Sequence, residues 1–207
     1  MKPYHKIPTV WARDPETNYK TLVGGKWATP ELDYLSDQRW IFTEKIDGTN
    51  IRVIFDGENV IFGGKTDDAQ IPSHLINRLI EMFPTEKVKE VLNDTPGCLY
   101  GEGYGAKIQG GGKYIPDGCS FVLFDVMIGD LWLERENVKD ISGKLNIGTA
   151  PIVGAGSLLE AIAYTKLGIS SQIADCQAEG LVMRPEVELK DRRGNRIITK
   201  IKTKDFN

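Results

Sequence analysis

Trp40-Ile-Phe-Thr-Glu44-Lys45-Ile-Asp47-Gly48-Thr-Asn50-Ile-Arg-Val-Ile-Phe55-Asp56-Gly57-Glu-Asn-Val60-Ile-Phe-Gly-Gly-Lys65 is the stretch on which the fold reading turns. Its segments Trp40–Lys45, Asn50–Phe55 and Val60–Lys65 are rich in β-branched and aromatic residues and read as three short strands. Asp47-Gly48 and Asp56-Gly57 read as the turns between them.

Downstream the pattern alternates in blocks. Pro72–Phe83 predicts a helix, with Leu75, Ile76, Leu79, Ile80 and Phe83 at 3.6-residue spacing. A second short helix runs from Pro84 to about Leu92. Leu99–Gly101 and Ser120–Ile128 read as strands, and Leu131–Arg135 pairs with the latter across Gly129-Asp130. Ser157 and Glu160 form a capping box for a helix that Gly168 closes. Gly180–Val187 and Arg196–Thr203 read as a hairpin around Arg193-Gly194-Asn195. Upstream, residues 1–40 are Pro-rich and irregular, with Trp11, Trp27 and Trp40 as packing anchors. Strands dominate and helices come in blocks, so the expected class is α+β with mostly antiparallel sheet, not a doubly wound fold.

The chain has 207 residues, 41% hydrophobic and 27% charged. One domain is expected, able to bury a sizeable core. No apolar run approaches the roughly 20 residues of a membrane helix, since Asp125 splits Phe121–Ile128. The N-terminus lacks the apolar region of a secretory signal. Cys98, Cys119 and Cys176 are widely spaced and odd in number, which predicts a reducing cytoplasm instead of a disulfide framework. Net charge is −3, but residues 190–207 carry Lys190, Arg192, Arg193, Arg196, Lys200, Lys202 and Lys204 against Asp191 and Asp205. A basic end on an acidic body is either a local anion site or a solvated tail.

Five segments could carry chemistry. Lys45, two residues before an Asp-Gly turn, reads as a nucleophile or as a solvated charge of a hairpin. Glu102 stands alone in Gly101-Glu-Gly-Tyr-Gly105, where glycines allow a close approach. Gly110-Gly-Gly-Lys113 is no phosphate loop, because Tyr114 stands where Ser or Thr is required. Phe124-Asp125 ends a core-like strand, and Glu179 opens another. Lys200, Lys202 and Lys204 fall on one face of a strand, as a blunted edge or as a phosphate grip.

In order, the five segments resemble the covalent nucleotidyltransferase superfamily of ATP-dependent RNA ligases, DNA ligases and capping enzymes. The branch most similar is that of RNA ligase 2. Lys45-Ile-Asp-Gly-Thr-Asn50 resembles its KxDGxN motif, and the likeness extends to Phe206. The implied fold is a nucleotidyltransferase domain of mostly antiparallel sheets flanked by helices, with residues 1–40 a flank and 41–207 the motifs. The implied activity joins RNA 3′-OH and 5′-phosphate ends through lysyl-AMP on Lys45, with ATP and Mg²⁺ or Mn²⁺. Lys200 and Lys202 would hold the α-phosphate. Glu44 would meet the adenine edge, Phe124 stack on it, and Asn50, Lys65, Glu102 and Glu179 complete the nucleotide site. Asp47, Glu102 and Glu179 would hold metal largely through water. The resemblance also implies that metal loading and activation of the lysine are coupled.

Two departures matter. Lys65 stands where an arginine is usual, so a bidentate phosphate contact is in doubt. The chain stops near Phe206, which reads as a bare catalytic domain typical of phage-encoded RNA repair, with the basic end supplying salt-sensitive RNA affinity. An accessory RNA-binding or end-healing partner would suit it. The alternatives are a minimal DNA ligase, against which Asn50 counts, a capping guanylyltransferase, and a catalytically idle nucleotide- or RNA-binding relative.

Overall fold

The computed structural model describes residues 2–206. Among them, in chain order, run β1 (Trp11–Arg13), β2 (Leu22–Trp27), α1 (Pro30–Tyr34), β3 (Trp40–Lys45), β4 (Thr49–Phe55), β5 (Val60–Gly63), α2 (Ser73–Met82), α3 (Thr85–Val91), β6 (Gly97–Gly105), β7 (Cys119–Ile128), β8 (Leu131–Trp132), α4 (Arg135–Leu145), β9 (Gly148–Thr149), β10 (Ile152–Gly156), α5 (Leu158–Lys166), β11 (Gly180–Pro185) and β12 (Thr199–Lys202). The strands pair antiparallel except β9 on β7. This is the α+β class with mostly antiparallel sheets that the block pattern predicts.

The chain forms two compact units: 2–5 with 46–150, and 6–45 with 151–206. The first holds the sheet β5-β4-β6-β7-β8, with β9 beside β7. One face of it carries Ile51, Val53, Phe55, Leu99, Phe121 and Leu123, all buried. Leu75, Leu79 and Phe83 of the α2 segment, Val88 and Leu92 of the next, and Val138, Ile141 and Leu145 of α4 cover that face. Alternation along the strands sends Asn50, Arg52, Tyr100 and Glu102 to the opposite face.

The second unit holds the sheet β10-β3-β11-β12 and the hairpin of β1 with β2. Its core gathers Trp40, Phe42, Leu181, Met183 and Ile201 from one sheet face with Leu158, Ala161 and Ile162 of α5. Trp40 is fully buried and donates its indole N–H to Leu35 O at 2.8 Å. Trp11 and Trp27 pack against the same core, as expected of anchors. The capping box is complete: Glu160 N–H donates to Ser157 Oγ at 3.2 Å and Ser157 N–H to Glu160 Oε2 at 2.7 Å.

Several boundaries differ from the sequence reading. The stretch before Trp40 is not irregular, since it contains β1, β2 and α1. Asp47-Gly48 is not a hairpin turn, because β3 and β4 belong to different sheets. The strand around Glu102 runs on to Gly105, so Glu102 stands on a strand instead of a flexible turn. β5 ends at Gly63 and leaves Lys65 exposed in the following loop. Ile80 is 57% exposed, because α2 buries only the narrower stripe of Leu75 and Leu79. Leu131–Arg135 is strand only to Trp132, and Arg135 opens α4, which the sequence reading did not contain. β12 ends at Lys202; Lys204 lies in a 3-10 turn over Thr203–Phe206, outside the row of Lys200 and Lys202.

Gly101 is required by a close approach. A Cβ there would overlap the Phe121 ring and the Val122 carbonyl. Gly101→Ala is therefore expected to destabilise the protein by about 1–3 kcal/mol, as overpacking does. A urea melt with an unchanged midpoint would contradict this packing.

Candidate active site

Lys45 is the last residue of β3, a central strand of the second unit's sheet. Register places Gly180 opposite Lys45, and Lys202 opposite Gly180. The three positions form one row across three strands, with no side chain in the middle. Both lysines therefore share one sheet face and reach over the glycine. Glu179, just before β11, fills the gap between them. Its Oε2 accepts from Lys45 Nζ at 2.5 Å and its Oε1 from Lys202 Nζ at 2.5 Å.

This fork is mostly withdrawn from water, with side-chain exposures of 19% for Lys45, 22% for Lys202 and 11% for Glu179. Burial pushes the Glu179 carboxyl up, but the charge of Lys45 and hydrogen bonds from Lys202 and Lys45 outweigh it. The net effect holds it below its ordinary value. Two ammoniums about 6 Å apart would repel by about 3 kcal/mol at an effective dielectric near 20. Glu179 is what allows them to coexist. Lys200 lies in the next row of the same face, opposite Val182.

Glu44 alternates to the other face of β3 from Lys45. It is 2% exposed. Its Oε2 accepts from Gln172 N–H at 2.8 Å, whereas Oε1 is buried and has no hydrogen-bond partner. The result is a fixed carboxylate with one spare acceptor.

In the first unit, Asn50 and Glu102 are direct cross-strand partners. A Cβ on Gly48 would meet Glu102 Cγ at 3.0 Å, so the Asp47-Gly48 corner runs tight against that pair. Gly110 abuts the Asp47 carboxylate so closely that a Cβ would overlap it. The glycine run that failed as a phosphate loop thus serves to let a segment close on Asp47. Asn50 Oδ1 is buried without a hydrogen-bond partner.

Phe124 lies on the same face, at an irregularity of β7. Tyr100 pairs with Asp125 but Gly101 pairs with Leu123, so Phe124 is the extra residue of a β-bulge. The bulge leaves Phe124 and Asp125 both on the face away from Leu123 and Val126. There the Phe124 ring meets Tyr4 edge-on, at 5.0 Å between centroids. Tyr4 also donates to the buried Asp125 and packs on Tyr100 and Trp132. Burial pushes the Tyr100 phenol up, and its O–H donates to Lys2 O at 2.8 Å.

Lys45, Glu179, Lys202 and Lys200 share one sheet face of the second unit, with Glu44 on the reverse. Asp47, Asn50, Glu102 and Phe124 gather in the first. Lys65 is exposed and joins no such group. Sequence reasoning missed Tyr4, Arg52 and Gln172. Arg52, 1% exposed, donates to Gly64 O at 2.8 Å and to Asp67 Oδ1 at 2.7 Å, fixing the loop that bears Lys65. Tyr4 had no local signal, since its partners apart from the neighbouring His5 lie about 95 to 130 residues away.

Residues 38–202 match the RNA ligase family. The chain belongs to that family. No curated protein sequence matches it. Among solved structures it is similar to the Naegleria gruberi RNA ligase with PPi, at TM-score 0.67 and 19% identity over 86% of this chain and 53% of that one. It is also similar to that enzyme's lysine-to-alanine mutant with ATP and Mn, at TM-score 0.65 and 18% identity, and to its lysine-to-methionine mutant with AMP and Mn, at 0.64 and 18%. Both cover 86% of this chain and 53% of the other. At these identities the likeness establishes the nucleotidyltransferase fold. The chain spans about half the length of these relatives.

The fork has a titration signature. A carboxyl held below its unfolded value adds stability that is present above the unfolded pKa and is lost as pH falls through the folded one. Lys45→Met or Lys202→Met removes one of the two opposing charges while burial persists, so each is expected to raise the Glu179 pKa in a carboxyl-carbon NMR titration. A Glu179 midpoint that stays at the wild-type value in both variants would mean that the fork does not form in solution.

Proposed function

We propose that this RNA ligase family member is an ATP-dependent RNA ligase that joins 3′-OH to 5′-phosphate ends through AMP carried on Lys45. The observation carrying this reading is the fork: a lysine at a strand end, with a second ammonium beside it and one carboxylate between them.

In the first step neutral Lys45 Nζ attacks the α-phosphorus of ATP. An N–P bond forms, the P–O bond to pyrophosphate breaks, and pyrophosphate departs with the bonding pair while the nitrogen's proton goes to solvent. In the second, a 5′-phosphate oxygen attacks the AMP phosphorus and releases Lys45, leaving an adenylylated end. In the third, a 3′-hydroxyl attacks the 5′-phosphate, AMP leaves, and the hydroxyl proton goes to solvent.

In the resting fork Lys45 Nζ is engaged by Glu179. An arriving triphosphate competes with Glu179 for Lys202 and brings Lys200 and Lys202 onto its oxygens, where they offset the charge that builds up. Glu44 Oε1, buried and unpartnered, suits the exocyclic amine of adenine. Phe124 would stack on the base, worth about 1 kcal/mol. Asn50 and Glu102 would meet phosphate and ribose oxygens, and Lys65 would add a point charge at the rim.

Among the described residues no three His, Cys, Asp or Glu side chains form a group able to hold a metal. Carboxylates suit a hydrated divalent cation: Asp47 and Glu102 in the first unit, and Glu179 in the second, would each act largely through water and together with substrate phosphates. Bound Mg²⁺ or Mn²⁺ would supply positive charge at the phosphates. The Naegleria structures with ATP, AMP and Mn support this. Separate alanine mutants of that enzyme replace a lysine, an aspartate two residues on and a glutamate 57 residues on. Lys45, Asp47 and Glu102 stand at the same separations.

Intact mass after incubation with ATP and Mg²⁺ or Mn²⁺ tests the reading. Wild type is expected to gain one AMP and Lys45→Ala none. A wild type that gains no AMP and carries none on purification would refute it. Nicked RNA duplex is expected to be sealed and nicked DNA not; the reverse would favour a minimal DNA ligase.

A further inference from the structure

The loop that joins β11 to β12 arranges its charges unevenly. It runs over residues 186–198 and contains three acids. Glu186 pairs with Arg39 at 3.1 Å. Glu188 accepts from Arg196, whose Nη2 lies 2.8 Å away and whose side chain is 2% exposed. Asp191 is occupied within the loop. It accepts from the backbone N–H of Arg193 and of Asn195 at 2.8 Å each, and from Asn195 Nδ2 at 2.9 Å. The bond from the Asn195 amide, with those from the backbone, holds its carboxyl below the usual range.

The backbone is closed as well. Asp191 N–H donates to Asn195 O at 2.8 Å, Ile197 N–H to Leu189 O at 2.9 Å, and Gly194 takes a φ of +81°. This is a built loop, not a solvated tail. With its acids engaged, it presents Lys190, Arg192 and Arg193, all exposed, at its tip.

We propose that Lys190, Arg192 and Arg193 at the tip of this loop dock the phosphate backbone of the RNA some distance from the joint being sealed. The proposal rests on the ligase reading of Lys45. Three point charges on a preformed frame, with no aromatic side chain among residues 186–198, fit a phosphate backbone and not unpaired bases.

The hairpin also supplies a length. Glu179 and Lys202 lie at one end of the β11–β12 pair, and the loop lies at the other. The six residues of β11 span about 20 Å at roughly 3.3 Å per residue. At an axial rise of roughly 3 Å per nucleotide in an A-form duplex, that is about seven nucleotides. RNA shorter than this beyond the joint cannot reach the loop.

The test uses the full chain with Lys190→Ala, Arg192→Ala and Arg193→Ala combined. Two measurements are made beside wild type: AMP gain by intact mass, and affinity for nicked RNA duplexes with either four or twenty nucleotides on each side, across a salt series. AMP gain is expected to be unchanged. Affinity for the long duplex should fall about tenfold or more at low salt, and the slope of log K against log salt should lose about 2–3. Affinity for the short duplex should be unaltered.

Equal affinity and slope for the long duplex in variant and wild type would overturn the proposal. So would an equal loss on both duplexes, or a wild type that binds neither. A wild type that gains no AMP but binds long duplex in a loop-dependent way would instead overturn the reading of Lys45 and leave the loop standing.

Discussion

Glu179 answers to two ammoniums at once, and the arrangement of the second unit follows from that. Lys45 and Lys202 can share a sheet face only if something negative stands between them. The middle position of their row must also be empty for both chains to lean inward. Gly180 leaves it empty, and a Cβ there would in any case run into the Ile201 carbonyl. Three strands must therefore hold register to within one residue. A single slip would send either lysine to the core face, among Leu181, Met183 and Ile201. The apolar face beneath the row is thus what aligns the charges above it.

The first unit solves a related problem differently. Its sheet has one face closed by three helices and one face bearing Asn50, Arg52, Tyr100 and Glu102. Alternation from Leu123 points Phe124 to the open face, and the bulge keeps Asp125 on that face beside it while Val126 returns to the closed one. Tyr4 supports the Phe124 ring there from its edge. The bulge costs a hydrogen-bonded pair in the ladder. An apolar ring stands on a face that also bears Asn50, Arg52 and Glu102.

The α+β class and every strand of the three-strand stretch were legible in the sequence, because β-branched runs and Asp-Gly pairs are local signals. So were the α5 capping box and Lys45, Glu179 and Lys202, which meet in the fork. What was not legible depends on partners far along the chain. Nothing near Asp47-Gly48 says that its flanking strands join different sheets. Nothing near Glu44 says that Gln172 will occupy one of its oxygens. The spacing of Val138, Ile141 and Leu145 did signal α4, but Gly143 and the surrounding charges diluted it. The bulge at Phe124 has no marker, since no glycine or proline accompanies it.

The order of segments has a consequence for how the chain is born. β3, with Lys45 at its tip, is flanked by β10 on one edge and β11 on the other, and both come from beyond residue 150. A ribosome adding about 5–20 residues per second needs on the order of 5–20 seconds to make the intervening hundred. Throughout that interval β3 has two open edges and an apolar face without its helix, the state in which strands pair wrongly. The intervening unit needs only residues 2–5 from outside itself, and they emerge first. Synthesis therefore completes the Phe124 and Glu102 face early and the row of Lys45, Gly180 and Lys202 last, so that a chain cut short after the first unit holds that face without the fork.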